Sequence, residues 1–272
     1  MLAVAALHLM HHDVEGYRLA KFENLQIALR DFQSAIDKPI VRGQADAILL
    51  TSMMINMQYF SWVDSLDPRH SWVFSAEASR LDWMRAHLYI KPLIEKVRPY
   101  LPESMLVPIW SRSAYANDET QGLPQELLHL CGIYDGMSKE DRLANAYLET
   151  LQMLGPLMLM ERGSRSMVRY VRFMNRLSQP FFDLVQVNDP VALLVLSWWF
   201  GLMCHVDFWW VQRRARRDCT ALCMYLERSS SQAIHGLLEF PAQSCGYEMC
   251  SAGGEERDAN EFASNKAIAW IE

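Results

Sequence analysis

Three histidines near the start of the chain are the first residues whose spacing could support chemistry. His8, His11 and His12 lie in the segment HLMHHD, and in a helix His8 and His12 would share one face, one turn apart. Such a pair can hold a metal ion, but the HExxH motif is absent and no third ligand can be assigned. We therefore predict packed or partly exposed histidines and no metal site.

Other motifs that would define an enzyme are also missing. The sequence contains no GxSxG motif for a serine nucleophile and no GxGxxG or GxxxxGK[ST] loop for nucleotide phosphates. It contains six cysteines without a CxxC pair or a histidine at zinc-finger spacing, which favours reduced thiols: Cys131, Cys204, Cys219, Cys223, Cys245 and Cys250. We expect no catalytic residue and no cofactor.

Methionines and aromatic residues are more suggestive of binding. The chain has 16 Met and 9 Trp, and many of them fall in one early and one late apolar segment. If these segments face each other, Met beside Trp can line an apolar, ligand-sized pocket. The predicted ligand-binding residues are Met53, Met57, Phe60, Trp62, Trp198, Trp199, Met203 and Trp210. Periodicity alone leaves open the alternative that these side chains interlock as ordinary core.

Two basic clusters could contact phosphate or acidic protein. Arg165, Arg169, Arg172 and Arg176 recur at helical spacing, and RRARR covers residues 213–217. Helices usually carry charge on their solvated side, so we favour exposed positions for both clusters.

These residues must be positioned by helices, because apolar residues recur with a period near 3.6 and strand-like alternation is hard to find. The sequence predicts an all-α, single globular multi-helix domain with an apolar interior pocket over residues 1–241, and a flexible tail over 242–272. Helices are expected at 16–36, 45–60, 77–89, 138–153, 165–177, 190–204 and 208–226, with one further short helix up to residue 240, and a long mobile loop at 111–124.

Composition restricts the function further. The 272 residues are 51% hydrophobic and carry a net charge of -6, which argues against direct nucleic-acid binding by this chain. The apolar run 191–203 is shorter than the roughly 20 residues of a membrane span. The first residues lack a basic region and a cleavage site, so they predict a buried helix rather than a signal peptide.

Several segments, in order, carry a family resemblance. They are VAALHLMHHDVEGYRLAKFENLQIALRDFQSAI, AILLTSMMINMQYFSW, WVFSAEASRLDWMRAHLYIKPLI, DPVALLVLSWWFGLM with a following WW, and LLEFP. Together they resemble the C-terminal regulatory domains of fungal zinc-cluster transcription factors, specifically the sterol uptake control protein group, over roughly residues 1–241.

The resemblance implies a helical domain that binds a sterol or similar hydrophobic ligand and controls transcription by RNA polymerase II. It also implies that the protein is located in the nucleus and the cytoplasm, and that it binds the transcriptional machinery or a DNA-binding partner. In that family a separate N-terminal cluster of six cysteines holds zinc and reads DNA. The cysteines of this chain lack that pairing, so the chain is either part of a longer factor or a stand-alone descendant.

Two other classes stay open. A stand-alone helical enzyme or accessory protein of secondary metabolism could act on a terpenoid or polyketide in the same pocket, with polar groups such as His8, His12, Tyr59 or Asp64. A pure interaction module would form a homodimer through its helices.

Overall fold

The structure is a computed structural model that describes residues 1–12, 16–106, 120–229 and 231–249. Within these ranges the chain forms helices and no strand, which confirms the all-α prediction. The α-helices of the first part are α1 (Leu2–His11), α2 (Tyr17–Ile36), α3 (Ala45–Ser61), α4 (Asp82–Leu88) and α5 (Ile90–Val97). Those of the second part are α6 (Gln125–Leu130), α7 (Lys139–Ala144), α8 (Leu148–Met158), α9 (Met167–Asn175), α10 (Gln179–Gln186), α11 (Pro190–Met203), α12 (Trp209–Ser229), α13 (Gln232–Gly236) and α14 (Glu239–Cys245).

Helix α11 lies at the centre of the main core. Asp189 caps its start by accepting a hydrogen bond from the Ala192 N–H at 2.8 Å, and Pro190 occupies the first turn, where a missing N–H costs nothing. Every residue from Ala192 to Met203 is buried. The helix packs against α12 and α14, and also contacts α8, α9 and α10. A helix that is apolar all round is stable only in such an interior position.

Helix α12 is the long neighbour of α11 and connects the core to the N-terminal helices. It is 21 residues long and contacts α1, α3, α11 and α14. Its buried face includes Val211, Ala215 and Leu222. A smaller apolar cluster, away from α12, joins α3 to α5 through residues such as Leu49 and Val97.

One predicted helix is divided in the structure. The helix expected at 138–153 begins as predicted, because the Ser138 hydroxyl accepts a hydrogen bond from the Asp141 N–H at 3.0 Å. It ends at Ala144, since the Asn145 side chain accepts hydrogen bonds from the N–H groups of Tyr147 and Leu148 at 2.9 and 3.1 Å. Asn145 therefore starts a second helix in a new direction.

The predicted boundary at residue 241 falls inside α14, which runs from Glu239 to Cys245 across Pro241. Most of the predicted tail, residues 250–272, and most of the predicted 111–124 loop lie outside the described residues, so the division into domain and tail stays a prediction.

Among the described helices, no single one is long and apolar enough to cross a membrane. Helices α10 and α11 reach that length only as a pair bent by 105°.

Candidate ligand site

The early and late apolar segments meet, which is the condition for the predicted pocket between them. Helix α3 packs on α12, and the Phe60 ring at the end of α3 lies 6.0 Å, centroid to centroid, from both Trp199 and Trp210. Both contacts are edge-on, the arrangement that aromatic pairs prefer. The fold thus brings the predicted clusters together through Phe60.

Four of the eight predicted site residues are buried in the core: Phe60, Trp198, Trp199 and Met203. The Trp199 indole N–H donates to the Tyr170 carbonyl at 2.8 Å, and the Trp198 N–H donates to the Leu237 carbonyl at 2.9 Å. Each indole therefore has the partner that burial demands. Met53, Met57, Trp62 and Trp210 are half-buried, and a ligand-binding role for the eight residues stays a prediction.

A half-open cavity of about 160 Å³ lies where α1 and α2 meet α12 and the segment after α3. Trp62 is the predicted site residue that lines it. The full lining is Leu7, Met10, His11, Lys21, Phe22, Ser61, Trp62, Val63, Asp64, Trp209 and Arg213. Its wall is mixed, because apolar and aromatic side chains alternate with polar and charged ones.

Lys21 is the most unusual residue of this cavity, because its side chain is only 3% exposed. Its ammonium nitrogen lies 4.0 Å from the centroid of a Trp62 ring, a close cation–π contact. Phe22 meets Trp62 edge-on at 4.6 Å, and the Trp62 indole N–H donates to Asp64 at 3.0 Å. The cavity therefore combines an aromatic wall with a buried cation and a carboxylate.

Helix α1 forms one side of the cavity and is attached to α12 by Arg213. The Arg213 guanidinium donates to the carbonyl oxygen of His11, the last residue of α1, at 3.1 Å. A cation at this end of a helix also interacts favourably with the helix dipole. Three residues of α1 are fully buried, Ala3, Ala6 and Leu7, and the helix packs mainly against α2.

The cavity borders a buried ionic cluster formed by Arg214, Arg217 and Asp218, whose side chains are 5%, 7% and 0% exposed. Asp218 accepts hydrogen bonds from Arg214 at 3.0 Å, from Arg217 at 2.7 Å and from the Ser71 hydroxyl at 2.8 Å. A fully buried carboxylate is tolerated only when it is paired in this way.

Arg214 also terminates α3. Its guanidinium donates to the carbonyl oxygens of Tyr59 at 3.4 Å, Phe60, and Trp62 at 2.6 Å, which are among the acceptors that a helix end leaves without partners. Burial lowers the pKa of Arg214 to about 10, against the opposing effect of Asp218, and the side chain remains charged at neutral pH.

The prediction that RRARR lies on the solvated side of its helix is wrong for Arg214 and Arg217, because Asp218 and the end of α3 compensate their charge inside the protein. The other basic cluster agrees with the prediction. Arg165, Arg169 and Arg176 are exposed and Arg172 is half-buried.

Lys21 and Asp218 are not among the residues predicted from the sequence. For Asp218 a signal existed, since Arg214 and Asp218 have the i, i+4 spacing of a helical ion pair. Lys21 has no such signal, because its burial depends on Trp62, a residue distant in sequence.

The N-terminal histidines form no metal-ligand group within the described part of the chain. The rings of His8 and His12 meet edge-on at 4.7 Å, and His8 lies 4.8 Å from Trp209. These are packing contacts, and His12 is exposed.

The comparisons with known proteins support the resemblance at a coarse level. The chain is similar to a Zn(2)-C6 fungal-type transcription factor of Gibberella zeae, with 24% identity over 253 residues that cover 89% of this chain and 51% of the relative. The chain thus spans about half the length of the curated relative that it matches. No family model and no solved structure matches it. The match supports a relation to fungal transcription factors and does not distinguish the sterol uptake control group.

Proposed function

We propose that this chain is the regulatory part of a fungal zinc-cluster transcription regulator, which binds a sterol or a similar hydrophobic ligand and controls transcription by RNA polymerase II in the nucleus. The similarity to a fungal transcription factor over most of the chain carries the regulatory part of this proposal. With a net charge of -6, DNA contact falls to another segment or partner.

The half-open cavity between α1, α2 and α12 supports the ligand-binding part. Aromatic and methionine side chains suit an apolar body, and Lys21, Asp64 and Arg213 suit one polar end group. We therefore place the entry of the ligand here, with Trp62 as the residue shared with the predicted apolar site.

The size of the cavity suggests how binding would be coupled to regulation. Its volume of about 160 Å³ is below the roughly 300 Å³ at which drug-sized ligand sites begin. A sterol-sized ligand therefore requires an element to move, and α1 is a candidate because it contacts α2 far more than it contacts α3 or α12. Binding would favour the state with α1 displaced, which needs a difference in affinity of a few kcal/mol between the two states.

A fluorescent sterol titrated into the purified chain tests the ligand site. We expect saturable binding to the wild type and at least about tenfold weaker binding to Met10→Trp, because the indole is larger than the side chain that it replaces and reduces the space in the cavity. Leu143→Trp is the matched control. Leu143 is 80% exposed on α7, and the same new residue there should leave the affinity unchanged.

A third variant, Met57→Trp, distinguishes the two locations for the ligand. If it abolishes binding while Met10→Trp does not, the ligand lies among the α3 and α11 residues and not in the cavity. Circular dichroism must show an intact helical fold for each variant. No saturable binding of the sterol to the folded wild type contradicts the ligand part of the proposal.

The regulatory part needs a separate experiment. The chain fused to an unrelated DNA-binding domain should change the expression of a reporter gene in a fungal host, and the same fusion with Met10→Trp should respond less to added sterol. A folded, nuclear fusion that leaves the reporter at the level of the DNA-binding domain alone would contradict it.

A further inference from the structure

Three cysteines that are scattered in the sequence meet at the contact between α12 and α14. Cys219 and Cys223 lie one turn apart on α12, and Cys245 is the last residue of α14. Their three sulfur atoms all lie within 4.8 Å of one another. The contact between the two helices creates this cluster, since no two of these cysteines have the CxxC spacing.

The cluster is sheltered from solvent and is not oxidised. All three thiols are free, Cys219 and Cys223 are fully buried, and Cys245 is half-buried. The Cys219 thiol donates weakly to the Pro241 carbonyl at 3.4 Å, and the Cys245 thiol lies 3.5 Å from the Ala242 carbonyl. Structural buried cysteines are chemically inert, whereas three thiols that converge on one point form a set of soft metal ligands.

Thiols bind metal ions in their deprotonated form, and a bound cation compensates the resulting negative charge in an apolar interior.

The distances suit a tetrahedral thiolate site. A Zn–S bond of about 2.3 Å places the sulfur atoms of one site about 3.8 Å apart, so the present separations, at most 4.8 Å, need to shorten by no more than about 1 Å. Cys204, a buried residue that follows α11, lies within hydrogen-bonding reach of Cys219. A ligand set of sulfur alone selects thiophilic d10 ions over hard cations.

We propose that Cys219, Cys223 and Cys245 form a thiolate site for a thiophilic d10 metal ion, with Zn²⁺ as the first candidate, which fixes the end of α14 to α12. On binding, the ion replaces the three thiol protons, which are released to the solvent, and nothing is oxidised or reduced. The site revises the expectation that the chain holds no metal. It is also different from the six-cysteine zinc cluster of the resembled family, because only three clustered thiols, contributed by two helices of the regulatory fold, form it.

The test uses the full chain, stripped with a chelator and kept reduced with a phosphine. Titration with Zn²⁺ against a chromophoric chelator should show one ion per chain. Co²⁺ in its place should give the near-ultraviolet absorption of thiolate-to-cobalt charge transfer. Cys245→Ser should weaken Zn²⁺ binding by at least about 100-fold, since it removes one of the three anionic ligands. Because Cys245 is half-buried, this variant is the least disruptive of the three.

Cys131→Ser is the matched control, since Cys131 is a buried free thiol after α6 and should retain full metal binding. A parallel titration with Cu⁺ identifies which d10 ion binds more tightly, and binding of either ion that Cys245→Ser abolishes supports the site. A folded, reduced wild type that binds neither ion overturns the proposal. So does a folded Cys245→Ser variant that keeps one ion per chain with wild-type affinity.

Discussion

The buried ion pairs of Asp218 with Arg214 and Arg217, all on α12, lead to the sharpest prediction about stability. Replacing Asp218 with asparagine keeps the shape of the side chain and removes its charge. Asp218 is fully buried and accepts three charged or polar donors, from Arg214, Arg217 and Ser71. The variant therefore leaves two guanidinium groups in the interior without an anion. The NH₂ group of the new amide would also point at one of the donors that now bond to the Asp218 carboxylate, and two donors cannot bond to each other.

The expected loss is about 3–5 kcal/mol of unfolding free energy, the usual cost of removing one partner of a buried ion pair. Asp82→Asn is the matched control. Asp82 pairs with Arg85 at 2.8 Å, but both side chains are substantially exposed, and such surface pairs contribute about 1 kcal/mol or less. The structure thus predicts a difference of several kcal/mol between two chemically identical substitutions.

Urea unfolding followed by circular dichroism measures both variants, at 0.1 M and at 1 M NaCl. Added salt should reduce the already small effect of Asp82→Asn and should leave the effect of Asp218→Asn nearly unchanged, since buried pairs are weakly screened. If Asp218→Asn lies within about 1 kcal/mol of the wild type, the ionic cluster does not hold α3 to α12 and the interpretation of RRARR given above is refuted.

Two further predictions concern pH and close packing. Burial lowers the pKa of His87 from 6.5 to about 4 in the folded chain. The unfolded chain therefore takes up its proton first, and the unfolding free energy falls by about 3 kcal/mol in all as the pH drops from about 6.5 to 4. Urea unfolding at several pH values should show a weaker dependence of this free energy on pH in His87→Gln, and an unchanged dependence would contradict the assignment to His87. In Gly155→Ala the new Cβ would lie 2.6 Å from the Gln121 carbonyl oxygen, and this clash should lower the unfolding free energy by about 1–3 kcal/mol. Gly43→Ala is the control, because the space around its new Cβ is open and the melting temperature should change little. Equal effects of the two substitutions would show that the close approach at Gly155 does not limit stability.

The long helices could be predicted from sequence because their apolar periodicity is local information. Helices α2, α3, α11 and α12 begin or end within three residues of their predicted limits. The break between α7 and α8 could not be predicted, since Asn145 is fixed by donating to the Cys131 carbonyl at 2.8 Å. That contact exists only once the two segments have packed.

In the candidate site too, some features follow from local composition and others depend on contacts between distant segments. The approach of the two Met- and Trp-rich segments followed from their composition, because large apolar surfaces must be buried against each other. The burial of Lys21 under Trp62, and of Arg214 against the end of α3, depends on which distant groups arrive to compensate the charge. The three thiols on α12 and α14 converge for the same reason, and no spacing rule would have paired them.

Different residues of helix α12 contact different neighbouring helices. All of these contacts therefore depend on one helical register. Arg213 reaches α1, Arg214 reaches α3, and Cys219 and Cys223 face α14. A one-residue insertion after Asp218 would turn everything downstream by about 100°. The thiols would then leave α14 while the arginines kept their partners. Among homologous chains, we therefore expect substitutions in this helix to be accepted at the exposed Arg216, and insertions or deletions to be confined to the segments before and after it.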